Sequence, residues 1–160
     1  MEITFEQIYN YQHDVMKGQK NLLVFFIMAP ILIFFGGAMG GIPFAVILLI
    51  VLGSICLFRS SKEKSKLKNL KKGNYTIEKD ILIKKSTKRH RRSNSGYATV
   101  AWYIQTQKVY PTRGEVFHTV YDALEEGDEI AIVKVGGKLI TVYSLRTNTL
   151  SPELYAKVVN

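Results

Sequence analysis

Cysteine is almost missing from this chain: Cys56 is the only one in 160 residues. An internal disulfide, a zinc ribbon and a redox dithiol are thereby excluded, and nothing argues for an oxidising compartment. Charge is missing over a longer stretch, since residues 21–58 hold thirty-eight positions without Asp, Glu, Lys or Arg. Catalytic signatures are missing as well: there is no Gly-x-Ser-x-Gly, no Walker loop and no dinucleotide fingerprint. His13, His90 and His118 are scattered, and they predict no metal site. Glu125, Glu126, Asp128 and Glu129 follow one another at a polar turn, whereas catalytic carboxylates face each other across a pocket. Nothing nominates a nucleophile, so the expectation is a protein that acts by binding, not an enzyme, with no cofactor.

The uncharged run is itself the strongest positive signal. One helix of that length would be about 57 Å, well beyond the ~30 Å hydrocarbon core of a bilayer. Gly36-Gly37-Ala38-Met39-Gly40-Gly41 and Pro43 break it in the middle, which predicts two spans, about 21–37 and 42–58, joined by a tight turn. Apart from Cys56 neither span holds an ionisable residue, so the pair is expected to anchor and not to conduct. Lys17 and Lys20 flank the first span and Arg59, Lys62, Lys64, Lys66, Lys68, Lys71 and Lys72 follow the second. The positive-inside bias then predicts a multi-pass inner- or plasma-membrane protein with both termini cytoplasmic.

Charge is distributed unevenly along the rest. Residues 59–92 carry fourteen Lys or Arg against three acids, 14 − 3 = +11, while residues 93–160 carry six against seven, or −1. Such an asymmetry points to an anionic neighbour. Four segments are expected: an amphipathic N-terminal helix (1–20), the two-helix transmembrane hairpin (21–58), a basic helical stem (59–72) and a small cytosolic β domain (73–160). In the first, Thr4 with Gln7 fits a capping box, and Phe5, Ile8, Tyr9, Val15 and Met16 recur at helical spacing. In the stem, Gly73 marks the stop.

From Asn74 onward the hydrophobic period is two. Tyr75-Thr-Ile77 and Ile81-Leu-Ile83 around Glu78-Lys79-Asp80 read as a first hairpin, followed by a polar loop over 84–96. Residues 97–104 alternate, with Val100, Trp102 and Ile104 on one face and Trp102 assigned to the core. Short strands are expected at 108–110 and 115–120. A hairpin joins 130–135 to 139–143 over Gly136-Gly137, and Ser151-Pro152 starts a final helix to about Val159. The fold class that follows is a membrane α-helical hairpin plus an all-β small barrel, OB- or SH3-like, with a short N-terminal amphipathic helix.

The stretch from Val120 to Ile140, with Gly127-Asp128 ending a connection and Gly136-Gly137 leading to the last strand, resembles uncharacterised bacterial two-pass membrane proteins that carry a small cytosolic β-barrel. The NfeD-type domain is one of these. That resemblance implies a non-catalytic barrel on a membrane anchor.

Candidate binding residues are the cations. Lys84, Lys85, Lys88, Arg89, Arg91 and Arg92 crowd the polar segment of the β domain, and Lys62, Lys64, Lys66 and Lys68 line the stem. The expected function is a non-enzymatic, membrane-anchored module whose basic domain engages the bilayer's anionic lipid or an acidic protein. Two alternatives differ in class. A ligand-gated membrane effector sensing an anionic small molecule such as a nucleotide, acting as a homo-oligomer, would need a concave basic pocket. Membrane-tethered nucleic-acid binding ranks below lipid because the domain is tethered close to the headgroups and its remainder is nearly neutral, and it requires aromatic side chains (Tyr97, Trp102 or Tyr103) exposed beside the basic segment.

Overall fold

A computed structural model describes residues 1–18, 54, 58, 60–91 and 98–159. The chain divides into two compact units, Tyr9–Lys72 and the combination of Met1–Ile8 with Gly73–Asn160. Twelve elements are described in chain order. They are β1 (Glu2–Ile3), α1 (5–18), α2 (60–71), β2 (Thr76–Arg91), β3 (Ala98–Thr106), β4 (Gly114–Val116) and α3 (His118–Asp122). Then come β5 (Glu129–Val135), β6 (Lys138–Ser144), β7 (Thr149–Leu150), α4 (Pro152–Tyr155) and β8 (Val158–Val159).

The two longer helices, α1 and α2, lie within the segments 1–20 and 59–72. At the start of α1 the Gln7 side chain accepts from the Thr4 N–H at 3.3 Å, one half of the expected capping box. The basic stem is helical over 60–71, and Gly73 ends it at φ +72°, a left-handed conformation that suits glycine. Within this unit Gln12 donates to Glu63, which also pairs with Lys66 at 2.8 Å.

Among the described residues no helix is long and apolar enough to cross a membrane. The described parts of α1 and α2 both carry Lys and Glu. The expectation of a two-pass transmembrane protein, and the multi-pass inner- or plasma-membrane location drawn from it, are corrected on this finding. The hairpin's residues 21–58 fall, except for Ser54 and Phe58, outside the described residues.

The expected closed barrel is corrected too. The main sheet is open, in the order β4-β3-β2-β5-β6, with β8 added beside β2. Its organiser is β2, which replaces the expected hairpin over 75–83 and the 84–91 part of the expected loop, the rest of which lies outside the described residues. The first half of β2 pairs antiparallel with β5 (Ile77 opposite Val133, Asp80 opposite Ile130). Its outer half pairs antiparallel with β3 (Lys85 opposite Ile104, Arg89 opposite Val100). A strand that serves two sets of partners along its length leaves β4 and β6 at opposite margins, and the sheet does not wrap round to join them. Glu78-Lys79-Asp80 looks like a turn because such residues are poor strand formers. Tertiary partners override that preference: Glu78 pairs with Lys134 at 2.9 Å, and Asp80 is buried and fully engaged.

Core residues come mainly from β5, β6 and the inward positions of β2 and β3. Ile130, Ala131, Ile132 and Val133 are all buried, so β5 is covered on both faces. This is why it shows an unbroken apolar run instead of alternation. Each large member contributes about 1.5–3 kcal/mol through burial. The β5–β6 hairpin turns on Gly136 (φ +55°) and Gly137 (φ +74°), as two successive left-handed positions require.

Elsewhere local expectations give way. Residues 107–109 form a bend, and the strand expected over 115–120 divides into β4 and α3, with Phe117 as the N-cap. Ser151 does cap a helix, accepting from the Leu154 N–H at 3.4 Å, but α4 stops at Tyr155 and β8 lies parallel to β2. In addition, β1 pairs in parallel with β7, a contact between the two ends of the chain that no local pattern announces.

Candidate functional site

The outer half of β2 carries the cations of the β domain on a paired strand, not on a loop. Two residues of β2, Ile83 and Lys84, stand where β3 advances by one: Leu82 lies opposite Thr106 and Lys84 opposite Gln105. This is a β-bulge, and it exchanges the parity of the strand. Thr106 and Ile104 share a face of β3, so Leu82 and Lys85 share the matching face of β2. Lys84, Ser86 and Lys88 fall on the other face, opposite Gln105, Tyr103 and Ala101.

The two faces differ. On the first, α3 packs beside β3 and the His118 ring lies 5.3 Å from the Trp102 ring. Lys85 is tied down there: Nζ donates to the Leu124 carbonyl at 2.6 Å and sits 4.2 Å from the Tyr121 ring, while its N–H donates to Glu126 at 2.8 Å. Ile104 is buried on this face; Val100 and Trp102 are half-buried, so Trp102 is not the full core residue expected. His118 also has a carboxylate that its spacing did not lead us to expect, Asp122 one helical turn on, at 2.8 Å.

On the second face Lys84 and Lys88 are exposed, and Tyr103 is half-buried between them on the neighbouring strand. The Arg113 guanidinium lies 4.8 Å from the centre of the Tyr103 ring. Glu115 is the residue of β4 opposite Tyr103, one carboxylate against three cations. Arg89, on the α3-side face by parity, is also exposed. Among the described residues, Lys84, Lys88 and Arg89 pair with no carboxylate. Arg91 is the last residue of β2, and Arg92 and Tyr97 lie outside the described residues.

The stem lysines belong to the other unit. Lys64 and Lys68 are exposed, Lys66 is paired with Glu63, and Lys62 sits 4.2 Å from the Phe58 ring. The nine described candidate residues thus fall into two groups, one in each compact unit.

No protein-family model, curated protein or solved structure matches this chain. The resemblance of residues 120–140 to NfeD-type domains therefore rests on those residues alone.

Two buried carboxylates hold the frame around the strand, and sequence patterning singled out neither for this part. Asp80 accepts from the N–H groups of Ile81 (2.8 Å), Lys108 (2.9 Å) and Val109 (2.7 Å). Burial pushes its carboxyl up; the Thr106 hydroxyl and these three N–H groups outweigh that and hold it below the usual carboxylate range. Thr106 in turn accepts from the Tyr110 N–H at 2.8 Å, so Asp80 fixes the whole bend that follows β3. Asp128 accepts from Ser144 Oγ (2.8 Å), the Glu125 N–H (3.0 Å) and Arg146 Nε (2.8 Å). Burial again acts upward, and these donors together with the Arg146 charge leave Asp128 below its ordinary value.

A cleft of about 310 Å³ opens beside Asp80, lined by Lys79, Ile81, Gln107, Lys108, Gly127 and Glu129 as well. Its charges are mixed, and the Asp80 carboxylate is committed to the bend. The concave basic pocket required by the nucleotide-sensing alternative is not what this cleft supplies. Among the described residues no three His, Cys, Asp or Glu side chains converge in a way that could hold a metal ion.

Proposed function

We propose that this chain is a non-enzymatic binding module that holds a phosphate- or carboxylate-bearing partner along the outer half of β2. One observation carries this: Lys84, Lys88 and Arg89 are exposed and, among the described residues, unmatched by acid, on a strand whose backbone is fixed by β3. Nearby cations of the same sheet are spent internally, Lys85 on the Leu124 carbonyl and Lys134 on Glu78. Side chains on one face of a strand repeat about every 6.8 Å, so Lys84 and Lys88 are presented at a set interval on one face and Arg89 on the other, instead of drifting on a loop. A fixed array loses less conformational freedom on meeting a polyanion than a mobile one does.

Binding of the full-length protein to inorganic polyphosphate should fall steeply as salt is raised. Three neutralised phosphates predict a slope of log K against log[salt] of about −2, taking about 0.7 per contact for a flexible polyanion. Affinity independent of salt, or no binding at low salt, would rule out this function.

A further inference from the structure

We infer that the anionic partner is a single-stranded nucleic acid, with a base stacked on Tyr103 and the flanking phosphates on Lys84 and Lys88. The inference rests on outer β2 being the binding element. It starts from the bulge at Ile83. By exchanging the parity of β2, the bulge gives Lys84, Ser86 and Lys88 a face of their own, away from the side on which His118 of α3 meets Trp102.

On that face Tyr103 stands opposite Ser86, one of the smallest side chains available, and its strand neighbour Ala101 stands opposite Lys88. Among the described residues only Ser86 stands beside the ring on the β2 side, while on the β4 side Glu115 lies opposite it and the Arg113 guanidinium lies over it, so a base would have the Ser86 side of a half-buried Tyr103. Lys84 and Lys88 flank it diagonally, four residues apart, or about 14 Å along the strand. Arg113 braces the ring at 4.8 Å. An aromatic platform between cations complements an unstacked base between its phosphates.

Other polyanions use only part of this arrangement. An acidic polypeptide or a lipid headgroup layer would engage the lysines and leave the ring without a role. A duplex keeps its base faces stacked inside, so Tyr103 has nothing to meet. Base-specific hydrogen bonding is poorly provided for, because the Gln105 amide already donates to the Pro111 carbonyl at 2.9 Å. The expected ligand is consequently single-stranded and read with little sequence preference. The tether that ranked nucleic acid below lipid lies outside the described residues, and of the aromatics that nucleic acid requires Tyr103 is half-buried beside the basic strand.

The test compares full-length wild type, Tyr103→Leu and Tyr103→Phe on three probes: a fluorescent oligothymidylate, inorganic polyphosphate, and vesicles of mixed phosphatidylserine and phosphatidylcholine. Tyr103→Leu should weaken oligothymidylate binding by about tenfold, the scale of one lost stacking contact. Tyr103→Phe should restore it, and polyphosphate affinity should be the same for all three proteins. Equal weakening on oligothymidylate and polyphosphate, an unaltered oligothymidylate affinity in Tyr103→Leu, or tighter binding to the vesicles than to the oligonucleotide would each overturn the nucleic-acid assignment while leaving a polyanion-binding strand in place. Failure of wild type to bind polyphosphate would bring down both.

Discussion

Asp80→Ala should destabilise the protein by about 3 kcal/mol, because hydrogen bonds to an ionised acceptor contribute roughly 1.5–3 kcal/mol each and only part is recovered from water. The carboxylate is buried and serves three backbone N–H groups and the Thr106 hydroxyl. Alanine leaves those donors facing each other with no acceptor, and water reaches them only if the 106–110 bend opens. That opening would also release the Tyr110 N–H from Thr106 and fray β3 at the end nearest the bulge. For a domain of this size a loss of 3 kcal/mol corresponds to a fall in Tm of roughly 15 °C. Chemical and thermal denaturation of the full-length variant measure it. A loss below about 1 kcal/mol, the scale of a single ordinary hydrogen bond, would show that Asp80 does not organise the bend.

The second large effect is on acid stability. Asp80 and Asp128 both have folded-state carboxyls held below the ordinary range by their donors. For groups whose pKa is depressed by folding, the stabilisation is complete above the unfolded value, about 3.9 for Asp, and is lost as pH falls through the folded one. Stability should therefore be nearly level from pH 7 to about 5 and decline steeply below about 4, where protons bind the unfolded chain first. An Asp80→Asn, Asp128→Asn double variant should start less stable at pH 7 and show a much shallower acid limb. A wild-type profile that stays level down to pH 3 would contradict the donor arrangement seen at both sites.

Local chemistry showed through the sequence wherever the deciding contacts were also local. The Gln7 side chain reaches back to Thr4, Gly73 ends the stem, two glycines turn the β5–β6 hairpin and Ser151 caps α4. Each depends on residues within a few positions of one another. β2 was not legible because its two halves owe their form to distant strands. Its outer half shows no alternation, since both faces carry polar or charged residues and period-two hydrophobicity has nothing to register. Its first half conceals a buried Asp80 whose partners, apart from the adjacent Ile81 N–H, begin at Thr106.

The candidate site was half visible for the same reason. A run of Lys and Arg can be read directly, but which members are free cannot. Lys85 is committed to Leu124, thirty-nine residues on, whereas Lys84 is not. Arg113 gave no signal at all: only the pairing of β4 with β3 brings it beside Tyr103. The barrel expectation failed on a global property, closure, which strand count alone does not determine.

The most direct measurement is the affinity of full-length Lys84→Gln, Lys88→Gln, Arg89→Gln for inorganic polyphosphate at low salt, beside wild type. These three side chains are exposed and make no ion pair among the described residues, so the fold should be undisturbed. Loss of three phosphate contacts should weaken binding roughly a hundredfold and flatten its salt dependence. A folded triple variant that binds as tightly as wild type would contradict the assignment of outer β2 as the binding element.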